Sequence, residues 1–322
     1  MKKRLVVIQK FDRGYSLVEL MVAMALGLVI LLVVSEIFIK NSATRNEIEK
    51  SGRQIENGRF AIQLLTDEIA NAGFAGEGGA APFPLVPPSE VNDACVTPAN
   101  AAMVIDALGA PVYGGISQPS CAGSYKSGGS FIALRRVSTC AIGEPGCDAF
   151  AENHHHVQVA ACETSSVIPS GEMVIGTTAG AMTAKSRDCT TSAPIYRFLS
   201  RLYYVDGADN LVRAELVGSA YQVSPLVEGI EKLEFEYGVD TNPLTGTPDT
   251  FMRAADMVGS DWENVLAVRV WLVARNLDPS PGYTDLNKYS LAGQEYVVGT
   301  RTNHKRQVFS GVAPINNLLG RN

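Results

Sequence analysis

The longest apolar stretch of the chain lies close to its beginning. From Tyr15 to Ile39 the only charged residues are Glu19 and Glu36, and Lys40 follows at once. A helix of about 20 apolar residues is long enough to cross the hydrocarbon core of a lipid bilayer. This stretch therefore predicts a helix that spans a membrane.

After Lys40 the apolar pattern becomes one-sided. Apolar residues recur at helical spacing as one stripe: Ile48, Ile55, Ile62, Leu65, Ile69 and Ala72. Gly52 and Gly58 each cost about 1 kcal/mol relative to alanine in a helix, so bending or packing is expected there. We expect one continuous helix of about 55 residues that ends where the glycines begin at Gly73.

The middle of the chain, residues 80–195, is rich in Gly, Pro, Ser and Ala. Short apolar runs such as Met103–Ile105 and Phe131–Leu134 predict strands set between loops. From residue 196 the pattern is clearly β. A turn at Asp206–Asn210 separates two strand-like runs and predicts a hairpin.

Two further strands follow in this last region, residues 196–322. Leu233, Phe235 and Tyr237 alternate with charged residues, which predicts a strand with one buried face. The run from Asn264 to Arg275 predicts another, with Arg269 and Trp271 on the face opposite its aliphatic residues, and Val308-Phe309 suggests a last edge strand. The aromatic residues of this region are expected in the sheet core rather than in a ligand cage: Tyr203, Tyr204, Phe235, Tyr237 and Trp271.

All six cysteines lie in the middle region: Cys95, Cys121, Cys140, Cys147, Cys162 and Cys189. An even number behind an export-type N-terminus predicts disulfides formed in an oxidising compartment. Six cysteines allow 15 pairings, among which sequence alone does not choose. The sequence-local set, Cys95–Cys121, Cys140–Cys147 and Cys162–Cys189, is weakly preferred.

Charge is distributed unevenly along the chain. The net charge is −6, yet the first fourteen residues are basic, with Lys2, Lys3, Arg4, Lys10 and Arg13 against Asp12. The basic residues favour a cytoplasmic start, which would send the rest of the chain outward across the membrane. The acidic remainder argues against nucleic acid as a partner, because phosphate backbones are bound mainly through Lys and Arg.

Three interpretations compete for the N-terminal segment. A cleaved secretory signal needs a shorter apolar core and a cleavage site after it, and Ser35-Glu36-Ile37-Phe38 is a poor one. A plain membrane anchor fits the length but leaves Glu19 unexplained, since a carboxylate at the centre of a bilayer costs about 2.5–3.5 kcal/mol on insertion scales.

The third interpretation explains Glu19. The sequence Gly14-Tyr15-Ser16-Leu17-Val18-Glu19 resembles the processing motif of type IV prepilins. The resemblance implies that a prepilin peptidase cuts after Gly14 and methylates the new N-terminus at Tyr15. It also implies that Glu19 pairs with the N-terminal amine of a neighbouring subunit. Tyr15 replaces the usual phenylalanine, and Glu36 interrupts the apolar segment, which are two departures from the family pattern.

The region after the span, and parts of the last region, resemble PilW-type minor pilins, which are assembly proteins of type IV pili. The matching segments are Glu56–Ala61, Leu65–Phe74, Leu226–Asp240, Trp262–Asn276 and Arg306–Ser310, whereas Pro314–Asn322 departs from the usual ending. The resemblance implies an α+β, pilin-like fold. A long N-terminal helix would pack on a C-terminal antiparallel sheet, with a disulfide-bonded insertion between them.

The expected organisation has five regions: a leader (1–14), a spanning helix (15–39), its amphipathic continuation (40–79), the cysteine-containing region (80–195) and the sheet domain (196–322). The resemblance implies a minor pilin with no catalytic activity and no cofactor. Its expected partners are the lipid bilayer, prepilin peptidase, other minor pilins, the major pilin and the inner-membrane assembly platform.

Two other sites suggest metal chemistry less strongly. His154-His155-His156 is expected to be a solvated loop, because adjacent histidines on an extended chain point to opposite sides. The loop with Asp240, Asn242 and Asp249 offers oxygen ligands for calcium but lacks the EF-hand spacing, so a simple turn is favoured.

Two alternatives to the pilus function stay open at this point. One is a pseudopilin of type II secretion. The other is a membrane-anchored, adhesin-like ectodomain that binds a ligand or calcium. Phosphate-loop, hydrolase-elbow and zincin motifs do not occur in the sequence.

Overall fold

The computed structural model describes residues 14, 16–76, 94–165, 167–241 and 245–317. The chain forms two compact units, Met1–Lys50 and Ser51–Asn322. Apart from Gly14, the expected leader and the residue after it, Tyr15, lie outside the described residues, as does Asn242.

Helix α1 is Leu17–Ala70, a continuous helix of 54 residues, which confirms the prediction of one long helix. Its most apolar 18-residue window has a mean hydropathy of 2.9. By length and composition it is the one helix in the described part of the chain that could cross a membrane.

The buried face of α1 differs from the predicted stripe. Ile48 is exposed, and Ile55 and Ile62 are half-buried. The buried residues of the helix are Gln54, Gly58, Ala61, Leu65 and Ile69. A spacing of seven residues drifts by about 20° per heptad on a straight helix, so the isoleucines leave the contact line. Leu65 and Ile69 are buried as predicted, and the small residues Gly58 and Ala61 let the helix approach the sheet closely before them.

Seven antiparallel strands form the larger sheet. They are β1 (Val112–Gly115), β2 (Phe131–Val137), β3 (His156–Val159), β4 (Met173–Gly176), β5 (Tyr196–Val205), β6 (Asn210–Val217) and β7 (Ala220–Glu228). The order is β1-β2-β5-β3-β4, and β6 pairs with both β5 and β7. The predicted hairpin is β5–β6. Strands before and after residue 195 thus share one sheet.

The smaller sheet follows. Its strands are β8 (Ile230–Val239), β9 (Thr250–Arg253), β10 (Val265–Arg275) and β13 (Arg306–Pro314). Between β10 and β13 the chain forms a separate hairpin of β11 (Lys288–Leu291) and β12 (Gln294–Val297). The order is β13-β10-β8-β9, and every pair is antiparallel. The strands predicted around Phe235, Val270 and Phe309 are β8, β10 and β13.

The main core lies where α1 meets the two sheets. Leu65 and Ile69 of the helix pack with buried side chains of both sheets, among them Tyr203, Phe235 and Leu272. Tyr203, Tyr204, Phe235 and Tyr237 are buried, as predicted. Trp271 is half-buried on the opposite face of β10, where its Nε1 donates to Glu236 Oε2 at 2.7 Å.

One predicted strand is wrong. Met103–Ile105 lies inside helix α2 (Ala101–Gly109), which Asn100 caps by accepting the Met103 N–H at 3.0 Å. An asparagine at the N-cap satisfies a backbone donor that the helix leaves unpaired. This cap and the alanines after it outweigh the β-branched residues Val104 and Ile105.

The three disulfides are Cys95–Cys121, Cys140–Cys147 and Cys162–Cys189. This is the sequence-local pairing that was weakly preferred. The cross-links hold a region whose strands are short and whose connections are long, where restricting the unfolded chain contributes most.

We predict that Gly58→Ala destabilises the folded chain. An added Cβ would lie 2.6 Å from Cδ2 of Phe309, a residue of β13, and would force its ring to move. Overpacking of this kind typically costs about 1–3 kcal/mol, against which alanine regains up to about 1 kcal/mol of helix propensity. Urea denaturation of the full chain in detergent, followed by circular dichroism, measures the net change.

Gly52→Ala is the matched control. A Cβ at Gly52 would have no atom within 4 Å, so this variant should be as stable as the native chain or slightly more stable. Equal midpoints for the two variants would contradict the close packing of Gly58 on Phe309.

Candidate assembly site

The N-terminal half of α1 presents apolar side chains on every side. Each large apolar residue that this segment exposes keeps more than half of its surface accessible: Leu17, Val18, Leu20, Met21, Val22, Met24, Leu26, Leu28, Val29, Ile30, Leu31, Leu32, Val33, Val34, Ile37, Phe38 and Ile39. A patch of this size marks a surface that meets lipid or another protein.

Glu19 lies in the first turn of this apolar helix. Its Oε2 accepts the Ser16 N–H at 3.1 Å, as an acid three residues into a helix does in a capping box. A carboxylate is also favoured there by the positive end of the helix dipole. The other oxygen, Oε1, accepts no hydrogen bond from the described residues, so the carboxylate keeps room for a second donor.

Glu36, the other acid of the apolar segment, has a partner one turn away. Lys40 Nζ lies 2.6 Å from its Oε1, and both side chains are exposed. Pairs at this spacing on a helix surface contribute about 0.3–0.5 kcal/mol. The charge that interrupts the apolar run is therefore matched within the same helix, whereas no lysine, arginine or histidine among the described residues pairs with Glu19.

The C-terminal half of α1 is held on the sheets by an ion-pair network around Glu68. Arg201 of β5 donates to both oxygens of Glu68, at 2.8 and 2.9 Å, and Arg136 of β2 lies at 3.5 Å. Arg201 also bonds Glu215 of β6 at 2.9 Å. Burial alone would raise the pKa of Glu68, but the two guanidiniums outweigh it and the pKa is lowered.

Two amide side chains of α1 complete this attachment. Gln54 Nε2 donates to the Ala274 carbonyl at 2.7 Å and to the Lys305 carbonyl at 3.2 Å. Asn57 Nδ2 donates to the Glu228 carbonyl at 3.1 Å. Because all three acceptors are backbone carbonyls of loops or strand ends, they fix the position of the helix along the sheet. The apolar stripe predicted from the sequence gave no sign of this role.

A second charge cluster surrounds Asp209, in the turn of the β5–β6 hairpin. This buried carboxylate accepts from Lys126 Nζ at 2.6 Å and Arg275 Nε at 2.9 Å, and also pairs with Arg301. Burial opposes its charge, yet its hydrogen bonds to Lys126 and Arg275 lower its pKa. The turn was predicted, but the three cations come from distant parts of the chain and cannot be paired from sequence.

The cluster continues at the start of β13. Arg306 Nη2 donates to Glu231 Oε1 at 3.0 Å, and its Nη1 lies 3.2 Å from Asp285 Oδ2. Tyr289 donates its hydroxyl to the same Asp285 oxygen at 2.8 Å. These contacts connect β13, β8 and the loop before β11. Together with the Asp209–Arg275 pair, which connects the β5–β6 turn to the end of β10, they join the two sheets.

The loop considered for calcium uses its carboxylates internally. Asp240 Oδ2 accepts the backbone N–H groups of Thr245 at 3.0 Å and Gly246 at 2.7 Å. Asp249 Oδ2 accepts both the N–H and the hydroxyl of Thr241 at 2.8 Å. These bonds hold both ends of the connection between β8 and β9. They support the interpretation of this loop as a simple turn rather than a calcium site.

The expectation of a solvated loop is wrong for His156. This residue begins β3, is fully buried, and stacks on the Phe150 ring with centroids 4.1 Å apart. Burial, with smaller effects of neighbouring groups, lowers its pKa to about 4. His154 and His155 are half-buried. All four residues of β3 are buried, and His156 is the first of them, which three identical adjacent residues conceal.

We predict that His156→Phe removes part of the acid sensitivity of folding. With a pKa near 4 in the folded chain and an ordinary value of 6.5, the unfolded chain binds the proton first. Stability is therefore complete above about pH 6.5 and falls as the pH drops towards 4. Phenylalanine keeps the stacking on Phe150 and does not titrate.

Urea midpoints of the full chain in detergent at pH 7.5 and pH 5 check this prediction. The decrease between the two pH values should be smaller in His156→Phe than in the native chain. His154→Phe, on the same segment but less buried, is the control and should keep the native decrease. An unchanged pH dependence in His156→Phe would refute the prediction.

Comparison with known proteins agrees with these observations in two places. Residues 202–317, from β5 to just past β13, match the family model described as Type IV Pilus-assembly protein W. Residues 9–35 match the model of the prokaryotic N-terminal methylation motif. The motif, with the apolar helix that follows it, indicates anchoring in a membrane.

Among solved structures, the chain is similar to the type IV-like pilin TTHA1219 from Thermus thermophilus. The TM-score is 0.39 and the identity 11%, over 82% of this chain and 96% of that chain. The search of curated proteins found no match.

Proposed function

We propose that this type IV pilin-like protein, with its PilW segment and prepilin methylation motif, is a minor pilin. In this proposal it primes a type IV pilus or is incorporated into it through its N-terminal helix. The leader is removed between Gly14 and Tyr15, and Tyr15 becomes the methylated N-terminus. The protein has a structural role, without catalysis and without a cofactor.

The observation that carries the proposal is the apolar first half of α1 with Glu19 in its first turn. This surface is covered by no described part of the chain. Lipid covers it while the subunit waits in the membrane, and the helices of other subunits cover it in a filament. Both surroundings are apolar, so the side chains of this surface stay out of water when the helix moves from lipid into the filament.

Glu19 gives this transfer a direction. A lone carboxylate is unfavourable among apolar side chains, and so is a lone ammonium, whereas the two offset one another when paired. The N-terminal amine of Tyr15 in a neighbouring subunit supplies the ammonium. The unoccupied Oε1 of Glu19 is available to it while Oε2 keeps its bond to Ser16.

The location and partners follow from the same features. The basic residues before Gly14 favour insertion with the leader in the cytoplasm, which places the disulfide-bonded domain in the periplasm. The subunit would reach the pilus from the inner membrane. Its partners in this proposal are prepilin peptidase, other minor pilins, the major pilin, the inner-membrane assembly platform and lipid.

The direct test is the mass of the mature protein. Mass spectrometry of the chain extracted from membranes of the native host should find an N-terminus at Tyr15 carrying one methyl group. Gly14→Ala should leave the chain uncut, since the peptidase acts after that glycine in the family that the motif resembles. A native chain that keeps Met1, or that begins elsewhere, would overturn the proposal.

A second test separates the charge of Glu19 from its capping bond. Glu19→Ala should leave cleavage intact and lower incorporation into pili, because the neighbour's ammonium loses its partner. Glu19→Gln keeps an oxygen that accepts the Ser16 N–H but carries no charge. If the charge is what assembly needs, both variants fail to the same degree in quantitative blots of sheared pili.

Glu36→Gln is the matched control, since it removes an acid of the same segment that already pairs with Lys40. It should assemble normally. Native levels of pili in Glu19→Ala would show that assembly does not need Glu19. Normal assembly of Glu19→Gln, with Glu19→Ala still defective, would show that Glu19 acts only by capping the helix.

A further inference from the structure

Strand β13 forms one edge of the smaller sheet and is unusually regular for an edge. Its nine residues pair one to one with β10, from Ala267 opposite Pro314 to Arg275 opposite Arg306, without a register shift. On its other side no strand pairs with it, and from residue 307 to 314 its backbone makes no other hydrogen bond with the described residues.

Natural sheets protect exposed edges with charges, prolines, bulges or short strands. The other edges of the two sheets in the described chain follow this rule. Strands β1, β4 and β9 are four residues long, and β7 contains Pro225, ends at Glu228 and pairs with a register shift. Strand β13 has a charge and a proline only at its two ends, Arg306 and Pro314, and the seven residues between them carry no charge, no proline and no register shift.

The two faces of β13 restrict what could lie beside it. On one face α1 approaches closely, since a Cβ at Gly311 would lie 2.7 Å from Ile62 Cγ2. On the other face are Val308 and Val312, and Val312 is 54% exposed. A strand added here would need small residues beside the helix and could place apolar residues next to the valines.

A second copy of the chain fits this edge poorly. Antiparallel pairing of two β13 strands would point the parts of α1 that pack on the sheets, residues 54–69, in opposite directions in the two copies, whereas the subunits of the proposed assembly all run in one direction. Parallel pairing would place the two helices on opposite faces of the joined sheet. Helix-to-helix contact, which the proposed assembly requires, would then be blocked by the sheet.

We infer that the outer edge of β13 binds an extended strand from a different pilin-type subunit, which continues the smaller sheet across the boundary between subunits. An extended backbone can pair with such a row of N–H and C=O groups along its whole length. The inference rests on the proposed function, since the strand donor is another subunit of the same pilus.

Site-specific photocrosslinking in the native host tests the edge directly. A benzoylphenylalanine placed at position Val312 of the full chain should give, on irradiation, a covalent product with a second protein. Peptide mass spectrometry should identify that protein as a subunit with its own prepilin motif, and the cross-link should fall in an extended segment. The same probe at Val223 is the matched control, because this valine is 48% exposed on the protected edge strand β7.

A charge on the edge is the second variant. Val312→Lys should abolish the product obtained with the probe at Ser310, an exposed neighbour on the same strand, while Val312→Thr should retain it. Unchanged melting temperatures of both variants in detergent show that the fold is intact.

The outcomes separate this inference from the proposed function. A chain that is methylated at Tyr15 and present in pili, but gives no subunit product from Val312, overturns the inference alone. So does a product with a second copy of this chain, or equal products from Val312 and Val223. A chain that is neither processed nor incorporated overturns the proposed function, and the inference with it.

Discussion

The structure depends on one helix that must suit two surroundings. The first half of α1 is apolar on all sides, and the second half buries only a narrow line centred on Gly58, Ala61, Leu65 and Ile69. A helix covered with apolar side chains is stable in lipid or among other helices but not in water. A helix with only a narrow apolar stripe is instead stable in water when that stripe packs closely on another element, here the sheets. The chain meets both needs within one helix, Leu17–Ala70, without an interruption.

Close approach explains why the buried line of the helix contains the small residues Gly58 and Ala61. Gly58 faces the Phe309 ring, and Gly311 faces Ile62, so each side supplies a glycine where the other supplies bulk. Polar groups then fix the alignment that packing leaves open. The Glu68–Arg201 pair and the amides of Gln54 and Asn57 bond only at one position along the helix. Buried ion pairs contribute little net stability, but they penalise every alignment in which a charge is left alone.

Elements whose signals are local could be predicted from the sequence. The length of α1, the β5–β6 hairpin, strands β8 and β10 and the methylation motif all depend on periodicity or on adjacent residues. The nearest-neighbour disulfide pairing is also the one found, although nothing in the sequence required it. What could not be predicted is long-range. The cations around Asp209 come from positions 126, 275 and 301, and no local pattern links them. Helix α2 was missed because a single cap at Asn100 decided a segment that composition left ambiguous.

Strand β13 takes part in three of these features. Its Arg306 is buried in the charge cluster that joins the two sheets, and its Phe309 and Gly311 contact α1. No strand of the described residues pairs with its outer edge. A strand held at one end by ion pairs and along one face by a helix is already ordered before anything binds to its edge. An ordered edge loses little conformational entropy when a further strand is added. The contacts that hold the subunit together would therefore also prepare it to bind the next one.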